Sequence, residues 1–162
     1  MPRLRYRLFH PTLFALCAAA ACATAQQLPR LRPAAADYAG YYPPASRRLG
    51  DQGRVLVEFH LDADRKVQDV AIPQWDLHNA KPFYEEGITK RLTNGAEKVV
   101  RNLQFDPSDR TTPDPKRTYR VTVIFCIEPD NCGDWAVPFP DTEPITVKTT
   151  LPYLPFPVIP TP

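Results

Sequence analysis

The alternation of apolar and polar residues between Gly53 and Ile72 constrains the fold of this chain most strongly. Within this stretch, the apolar residues at every second position are Val55, Val57, Phe59 and Leu61. Polar residues occupy the other positions, except for Leu56. Because successive side chains of a strand point to opposite faces, the pattern predicts a strand with one buried face. The Asp-rich turn Asp62–Lys66 and the apolar residues of Val67–Ile72 complete a predicted β-hairpin, which other parts of the chain must cover.

The N-terminal segment, 1–25, has the order of a secretory signal peptide. Arginines at positions 3, 5 and 7 precede the apolar run Thr12–Ala21, and Ala23-Thr24-Ala25 is a small-x-small cleavage motif. The run is shorter than the roughly 20 residues that span a bilayer. We therefore expect export, with cleavage after Ala25.

Two alternatives for this segment remain open at this point. An uncleaved segment would anchor the chain in a membrane. The run Ala19–Cys22 loosely resembles a lipobox, although Ala19 stands where Leu is usual. Lipidation at Cys22 would tether the protein to a membrane.

Cleavage changes the charge balance of the chain. It removes three of the 20 basic residues and leaves 17 basic against 18 acidic, a net charge of −1 for the segment from Gln26 to Pro162. The length of this segment fits a single domain. A near-neutral chain gives no basis for a nucleic-acid partner, which requires a clustered basic face.

Two cysteines, Cys126 and Cys132, remain after cleavage. In an exported protein such a pair predicts a structural disulfide. A metal site would need further ligands, and His60 and His78 each stand alone in the sequence. A redox pair would normally have the Cys-x-x-Cys spacing. We predict no metal site and no cofactor.

The segments around the hairpin are predicted from composition. Residues 26–37 have no periodicity and indicate a linker. Pro43 and Pro44 suit the first turn of a short helix over Ala45–Leu49, which Gly50 would end. Residues 73–82, bounded by prolines, predict a loop in which Trp75 and His78 are packing or surface residues.

Two helical segments are predicted between residues 83 and 105, and the second is the main helix. Phe83–Leu92 is weakly helical and is interrupted by Gly87, and Asn94 resembles an N-cap with Glu97 three residues later. The residues on one apolar helical face are Leu92, Ala96, Val99, Val100 and Leu103. This helix would cover the hairpin, and Pro107 would end it.

The chain after the helix contains one clear strand and a proline-rich tail. Apolar residues alternate through Arg117–Ile127, which predicts a strand. The segment 135–162 includes eight prolines, a composition that favours extended polyproline II conformation. This predicts either a flexible tail or a docking peptide. The expected fold is α+β: a three-stranded antiparallel sheet on one main helix, with a domain at 38–128 and a disulfide loop and tail at 129–162.

These segments together resemble a known family, the C-terminal periplasmic domain of the TonB energy transducers. The resemblance rests on Tyr42-Pro43, Gly53, the VxVxFxLDxD run Val55–Asp64, Val67–Ile72, the helix leading into Leu103–Pro107 and the closing strand Tyr119–Phe125. It covers nearly the whole predicted domain. The chain differs from the family pattern at Arg65, where Gly is common, and in having the cysteine pair and the proline tail.

The resemblance implies a location and a function. It implies a periplasmic module that binds an outer-membrane receptor or another envelope protein, in TonB-dependent transport, by adding the partner's peptide to its sheet. The last strand would then be the edge that binds the partner. Its candidate residues are Tyr119, Arg120, Val121, Thr122, Val123 and Ile124.

Two other classes of function remain as alternatives. A structural or envelope-associated protein with the same fold and no energy-transducing role would have its tail or disulfide loop packed over this edge. An enzyme would use His60 with the aspartates near the hairpin turn, Asp62, Asp64 and Asp69. Turn aspartates usually bond to the backbone, and no catalytic motif is present, so we predict no enzymatic activity.

Overall fold

The structure is a computed structural model that describes residues 28–32, 38–78, 80–128 and 132–150. The predicted signal peptide, the lipidation site at Cys22 and tail residues 151–162 lie outside the described residues.

The described residues form an α+β fold in which one main helix packs on a mixed four-stranded sheet. The helices are α1 (Pro44–Leu49) and α2 (Glu85–Arg101), and the strands are β1 (Gln52–Leu61), β2 (Val67–His78), β3 (Tyr119–Glu128) and β4 (Glu143–Thr150). Short 3₁₀ turns cover Tyr38–Tyr41 and Pro82–Tyr84. The strand order is β2-β1-β3-β4. The general class is as predicted, but the sheet has a fourth strand, which runs parallel to β3.

The core lies between α2 and one face of the sheet. The alternate residues of β1 and β3 that the sequence pattern predicts to face inward are buried there, and so are Ile145 and Val147 of β4. From α2 the core receives Ile88, Leu92, Ala96, Val99 and Val100. Their spacing of three and four residues places them on one face of the helix. The predicted packing of helix on hairpin is therefore present.

The hairpin is longer than the sequence indicates. Strand β2 continues to His78, so the predicted loop over residues 73–82 is wrong up to that point. Pro73 is tolerated because the β1–β2 register shifts between Leu56 and Glu58, and proline fits irregular positions of an edge strand. Trp75 consequently lies in β2, where it pairs with Val55.

The two predicted helical segments form one helix. Asn94 is not an N-cap, because α2 runs unbroken from Glu85 to Arg101 through both Gly87 and Gly95. Gly95 is buried, and a Cβ atom there would lie 2.9 Å from Cγ of Pro43 and 3.0 Å from Cζ of Phe125. A glycine is needed at this position because two rigid neighbours approach the helix. By contrast, α1 ends at Gly50 as predicted, with φ 75°.

The domain extends beyond both predicted boundaries. Within the predicted linker, Leu31 pairs with Phe105, and the amide of Asp106 donates to the carbonyl of Arg30 at 2.8 Å. At the other end, part of the predicted tail forms β4. The boundary at residue 128 is therefore too early, because β4 belongs to the same sheet and core.

We predict that Gly95→Ala destabilises the protein and that Gly87→Ala does not. The added methyl group at position 95 meets Pro43 and Phe125, and overpacking of this kind lowers the free energy of unfolding by about 1–3 kcal/mol. The higher helix propensity of alanine offsets about 1 kcal/mol of that loss. At exposed Gly87 the nearest atom to a Cβ is a terminal nitrogen of Arg91, at 3.2 Å. Denaturant unfolding of both variants measures the difference, and equal free energies of unfolding would contradict the prediction.

We also predict that the contact between Arg30 and Asp109 weakens in acid. Hydrogen bonds from the Thr111 side chain and from the amides of Arg30 and Thr111 lower the pKa of Asp109 to about 2. The unfolded value is about 3.9, so this contact is fully present above pH 4 and is lost as pH falls towards 2. The amide proton shift of Arg30 should follow the titration of Asp109 in NMR spectra. A midpoint near 3.9, or the same titration in Asp109→Asn, would contradict this.

Candidate functional site at strand β3

The predicted partner-binding residues lie in β3, but β3 is not an edge of the sheet. It pairs antiparallel with β1 on one side and parallel with β4 on the other. The expectation of an edge at Tyr119, Arg120, Val121, Thr122, Val123 and Ile124 is therefore wrong. The physical reason is that the chain's own segment Glu143–Thr150 supplies hydrogen-bond partners where a second protein was expected to do so.

Strand β4 pairs with β3 along its whole length. Eight pairs run from Val121 opposite Glu143 to Glu128 opposite Thr150. In this register Ile145 lies beside Val123, and Val147 lies beside Phe125. Both β4 side chains are buried in the core shared with α2. The site beside β3 is thus a slot for an extended segment with apolar residues at two alternate positions.

The six candidate residues divide between the two faces of the sheet. Tyr119, Val121 and Val123 belong to the core on the α2 side. Thr122 and Ile124 are buried on the opposite face. Arg120 is the exposed member of the set, and its guanidinium contacts the Glu58 carboxylate at 3.2 Å. The sequence places Arg120, Thr122 and Ile124 on one face correctly but does not indicate that two of them are covered.

The connection from β3 to β4 covers this second face. Parallel neighbours cannot be joined by a tight turn and need a crossover of about a dozen residues, and residues 129–142 provide it. The side chain of Thr122, which is 0% exposed, holds the crossover. Its Oγ1 accepts a hydrogen bond from the amide of Phe139 at 3.0 Å and lies 2.6 Å from Oγ1 of Thr142.

Arg54 of β1 is a second anchor for the crossover. Its Nη1 donates to the carbonyl of Val137 at 2.6 Å, and its Cζ lies 4.6 Å from the ring centroid of Phe139. Asp76 of β2 holds the same guanidinium through an ion pair of 2.8 Å. Three strands therefore contribute to fixing the segment that leads into β4.

The cysteine pair lies where β3 meets the crossover. Cys126 is buried in β3, Cys132 lies in the crossover, and their Cα atoms are 5.2 Å apart. This separation is compatible with the predicted disulfide. A bond there ties the start of the crossover to the strand that it covers.

Of the aspartates considered for an enzymatic site, Asp62 bonds to the hairpin turn, whereas Asp69 lies in β2 with its Oδ2 3.8 Å from Nδ1 of His60. The Asp62 carboxylate accepts hydrogen bonds from the amides of Asp64 and Lys66, and the bond from Lys66 is the main cause of its lowered pKa. Nε2 of His60 lies 3.3 Å from Oγ1 of Thr118. Among the described residues, no cluster of three or more His, Cys, Asp or Glu side chains could hold a metal ion.

The sequence contains a pattern for β4 that the surrounding proline content obscures. Between Glu143 and Thr150 the only proline is Pro144, and Ile145 and Val147 alternate with Thr146 and Lys148. That alternation is typical of a strand with one buried face. The average composition of residues 135–162 hides it, because most of the prolines lie outside these eight positions.

Comparisons with known proteins provide no assignment. No protein-family model, no curated protein and no solved structure matches the chain. No helix within the described part of the chain has the length and apolar character needed to cross a membrane. Function must therefore be inferred from the geometry of the sheet.

We predict that Thr122→Val loosens the crossover. Valine has the same shape but cannot accept from the amide of Phe139, and an unsatisfied buried donor costs about 1–3 kcal/mol. The matched control is Thr146→Val on the exposed part of β4, which should change stability by less than about 0.5 kcal/mol. For both variants, denaturant unfolding measures the change in stability, and amide hydrogen exchange at Phe139 measures the loosening of the crossover. Equal effects of the two substitutions would contradict the role of Thr122.

Proposed function

We propose that this protein is a periplasmic, non-enzymatic protein-binding module with a domain like that of the TonB energy transducers. In this proposal an envelope protein, such as an outer-membrane receptor in TonB-dependent transport, contributes an extended segment that pairs with β3 in the place of β4. The observation that carries the proposal is the eight-residue parallel pairing of β3 with β4. It supports the proposal because it is a strand-addition contact made within one chain.

Strand exchange at this position sets a requirement on the partner. Removing β4 exposes the sites of Ile145 and Val147, and each buried side chain of this kind is worth about 1.5–3 kcal/mol. A partner segment must therefore supply apolar residues at the same two alternate positions. A segment that takes the register of β4 would run parallel to β3, as β4 does.

The proposed location rests on two features of the chain. The N-terminal segment, 1–25, has the organisation of a signal peptide. The separation of Cys126 and Cys132 suits a disulfide, which persists in oxidising compartments such as the bacterial periplasm. If Cys22 were lipidated, the same module would act from a membrane surface.

A second candidate function is a structural or envelope-associated role in which β4 never leaves. The burial of Ile145 and Val147 in the shared core favours it. So does the anchoring of the crossover by Thr122 and Arg54. Under this alternative β4 permanently covers the edge of β3. Natural sheets commonly protect an edge by covering it in this way.

Strand exchange is tested with a variant whose own β4 is weakened. In Val147→Asp a charge replaces a core side chain, so we expect β4 to detach. A synthetic peptide with the sequence of Glu143–Thr150 should then bind and restore the native amide shifts of Tyr119–Ile127 in NMR spectra. A matched peptide with Asp in place of both Ile145 and Val147 should leave these shifts unchanged. A receptor plug-domain peptide with the required apolar spacing should bind in the same way.

The native chain provides the second measurement. If β4 exchanges, its amide protons should exchange with solvent through local opening, faster than those of β1. Exchange of β4 only through global unfolding, together with no peptide-induced shift in β3 of either protein, would contradict strand addition and favour the structural role.

A further inference from the structure

A cleft with exposed aromatic side chains lies at one end of the sheet. It has a volume of about 720 Å³ and is bordered by α1, the beginning of β1, the end of β2 and the start of α2. Three large apolar side chains on its lining are exposed: Phe83 by 98%, Leu49 by 68% and Tyr84 by 66%. Exposed apolar surface grouped around a cleft is typical of a binding site.

Of the three Asp, Lys and Arg residues that line this cleft, two form an ion pair, and the third, Lys81, is exposed to solvent. Nη2 of Arg91 lies 2.7 Å from Oδ2 of Asp51, whose side chain is almost fully buried. The same guanidinium donates through Nε to Oγ of Ser46 at 3.2 Å. An occupant of the cleft therefore does not need a charge to match this pair. Apart from Lys81, whose charge water can solvate, the large exposed side chains of the lining are apolar or aromatic.

Residues 151–162 have the complementary composition. This segment, LPYLPFPVIPTP, contains five prolines, six other apolar residues and no charged residue. Solvated disordered segments are poor in aromatic and branched apolar residues and are usually charged. Proline-rich peptides with these residues bind aromatic-lined grooves, because their extended conformation loses little entropy on binding.

The segment begins at the end of the sheet where the cleft lies. Thr149 of β4 pairs with Ile127 of β3, and the amide of Ile127 donates to Oε1 of Gln52, a residue that lines the cleft, at 2.9 Å. Two strand spacings, about 10 Å, separate β4 from β1. Twelve residues in polyproline II conformation extend for about 37 Å. The segment is therefore long enough to reach the cleft and to lie along it.

We propose that residues 151–162 dock intramolecularly in this cleft, with their apolar side chains packed against Phe83, Tyr84 and Leu49. The exposed apolar lining of the cleft and the apolar segment then cover each other. This inference does not depend on the proposed function, since it concerns a different surface from the slot beside β3 and a different segment from β4.

Chymotrypsin cleavage of the full chain tests the docking. The bond Tyr153–Leu154 is the probe, and mass spectrometry follows its cleavage. Phe83→Ser should speed this cleavage about tenfold, because burial of one large aromatic side chain shifts an equilibrium by that order or more. The matched control is Val137→Ser, which removes an apolar side chain that is 59% exposed and lies outside the cleft lining. Its cleavage rate should equal that of the wild type.

A double-mutant cycle and a dilution series complete the test. Phe156→Ser in the tail should also speed cleavage, and adding Phe83→Ser should produce no further increase, since both remove the same contact. Protection should be independent of protein concentration. Equal cleavage rates in the wild type and Phe83→Ser, additive effects of the two substitutions, or protection that disappears on dilution would each overturn intramolecular docking. The last outcome would indicate docking into a second copy.

Discussion

The backbone hydrogen bonds along the outer side of β3 are the constraint on which the rest of this structure depends. Every buried N–H and C=O group needs a partner, and β3 is buried on both faces, with Val123 on one and Ile124 on the other. Without β4 the groups on that side would form an open sheet edge between two covered faces, and natural sheets pair or cover such edges. The chain meets the requirement with β4, and the sheet becomes a four-stranded layer with a parallel pair at one side.

The parallel direction of β4 has consequences for the opposite face of the sheet. An antiparallel strand could have followed β3 through a tight turn, but a parallel strand requires the chain to return along the whole length of the sheet. The returning segment lies over the face opposite α2, where Phe139 contacts both Arg54 and Thr122. Leu56, the apolar exception in the otherwise polar set of β1, is buried on this same face. The same arrangement brings the beginning of β1, the end of β2 and the end of β4 to one end of the sheet, beside the aromatic cleft.

Local patterns predicted the parts of the fold that depend on neighbouring residues. The alternation in β1 and β3, the Asp-rich turn and the short helix ended by Gly50 are present as expected. The prediction of two helical segments failed because Gly95 was interpreted as part of a helix start. In the structure it lies inside α2, where it allows the close approach of Pro43 and Phe125, and both are distant in the sequence. The loop prediction at Pro73 failed because the sheet accommodates proline at an irregular position of β2.

The sequence by itself determined the strand faces, the helix face and the proline-rich character of the C-terminal region. Each of these depends only on residues that are close together in the sequence. Only the tertiary structure decided whether β3 is an edge. That outcome depends on whether Glu143–Thr150 reaches β3, which lies some 20 residues earlier in the chain. The alternation of Ile145 and Val147 shows that the segment can form a strand, but pairing and direction are properties of two segments together, and no pattern within one of them specifies its neighbour.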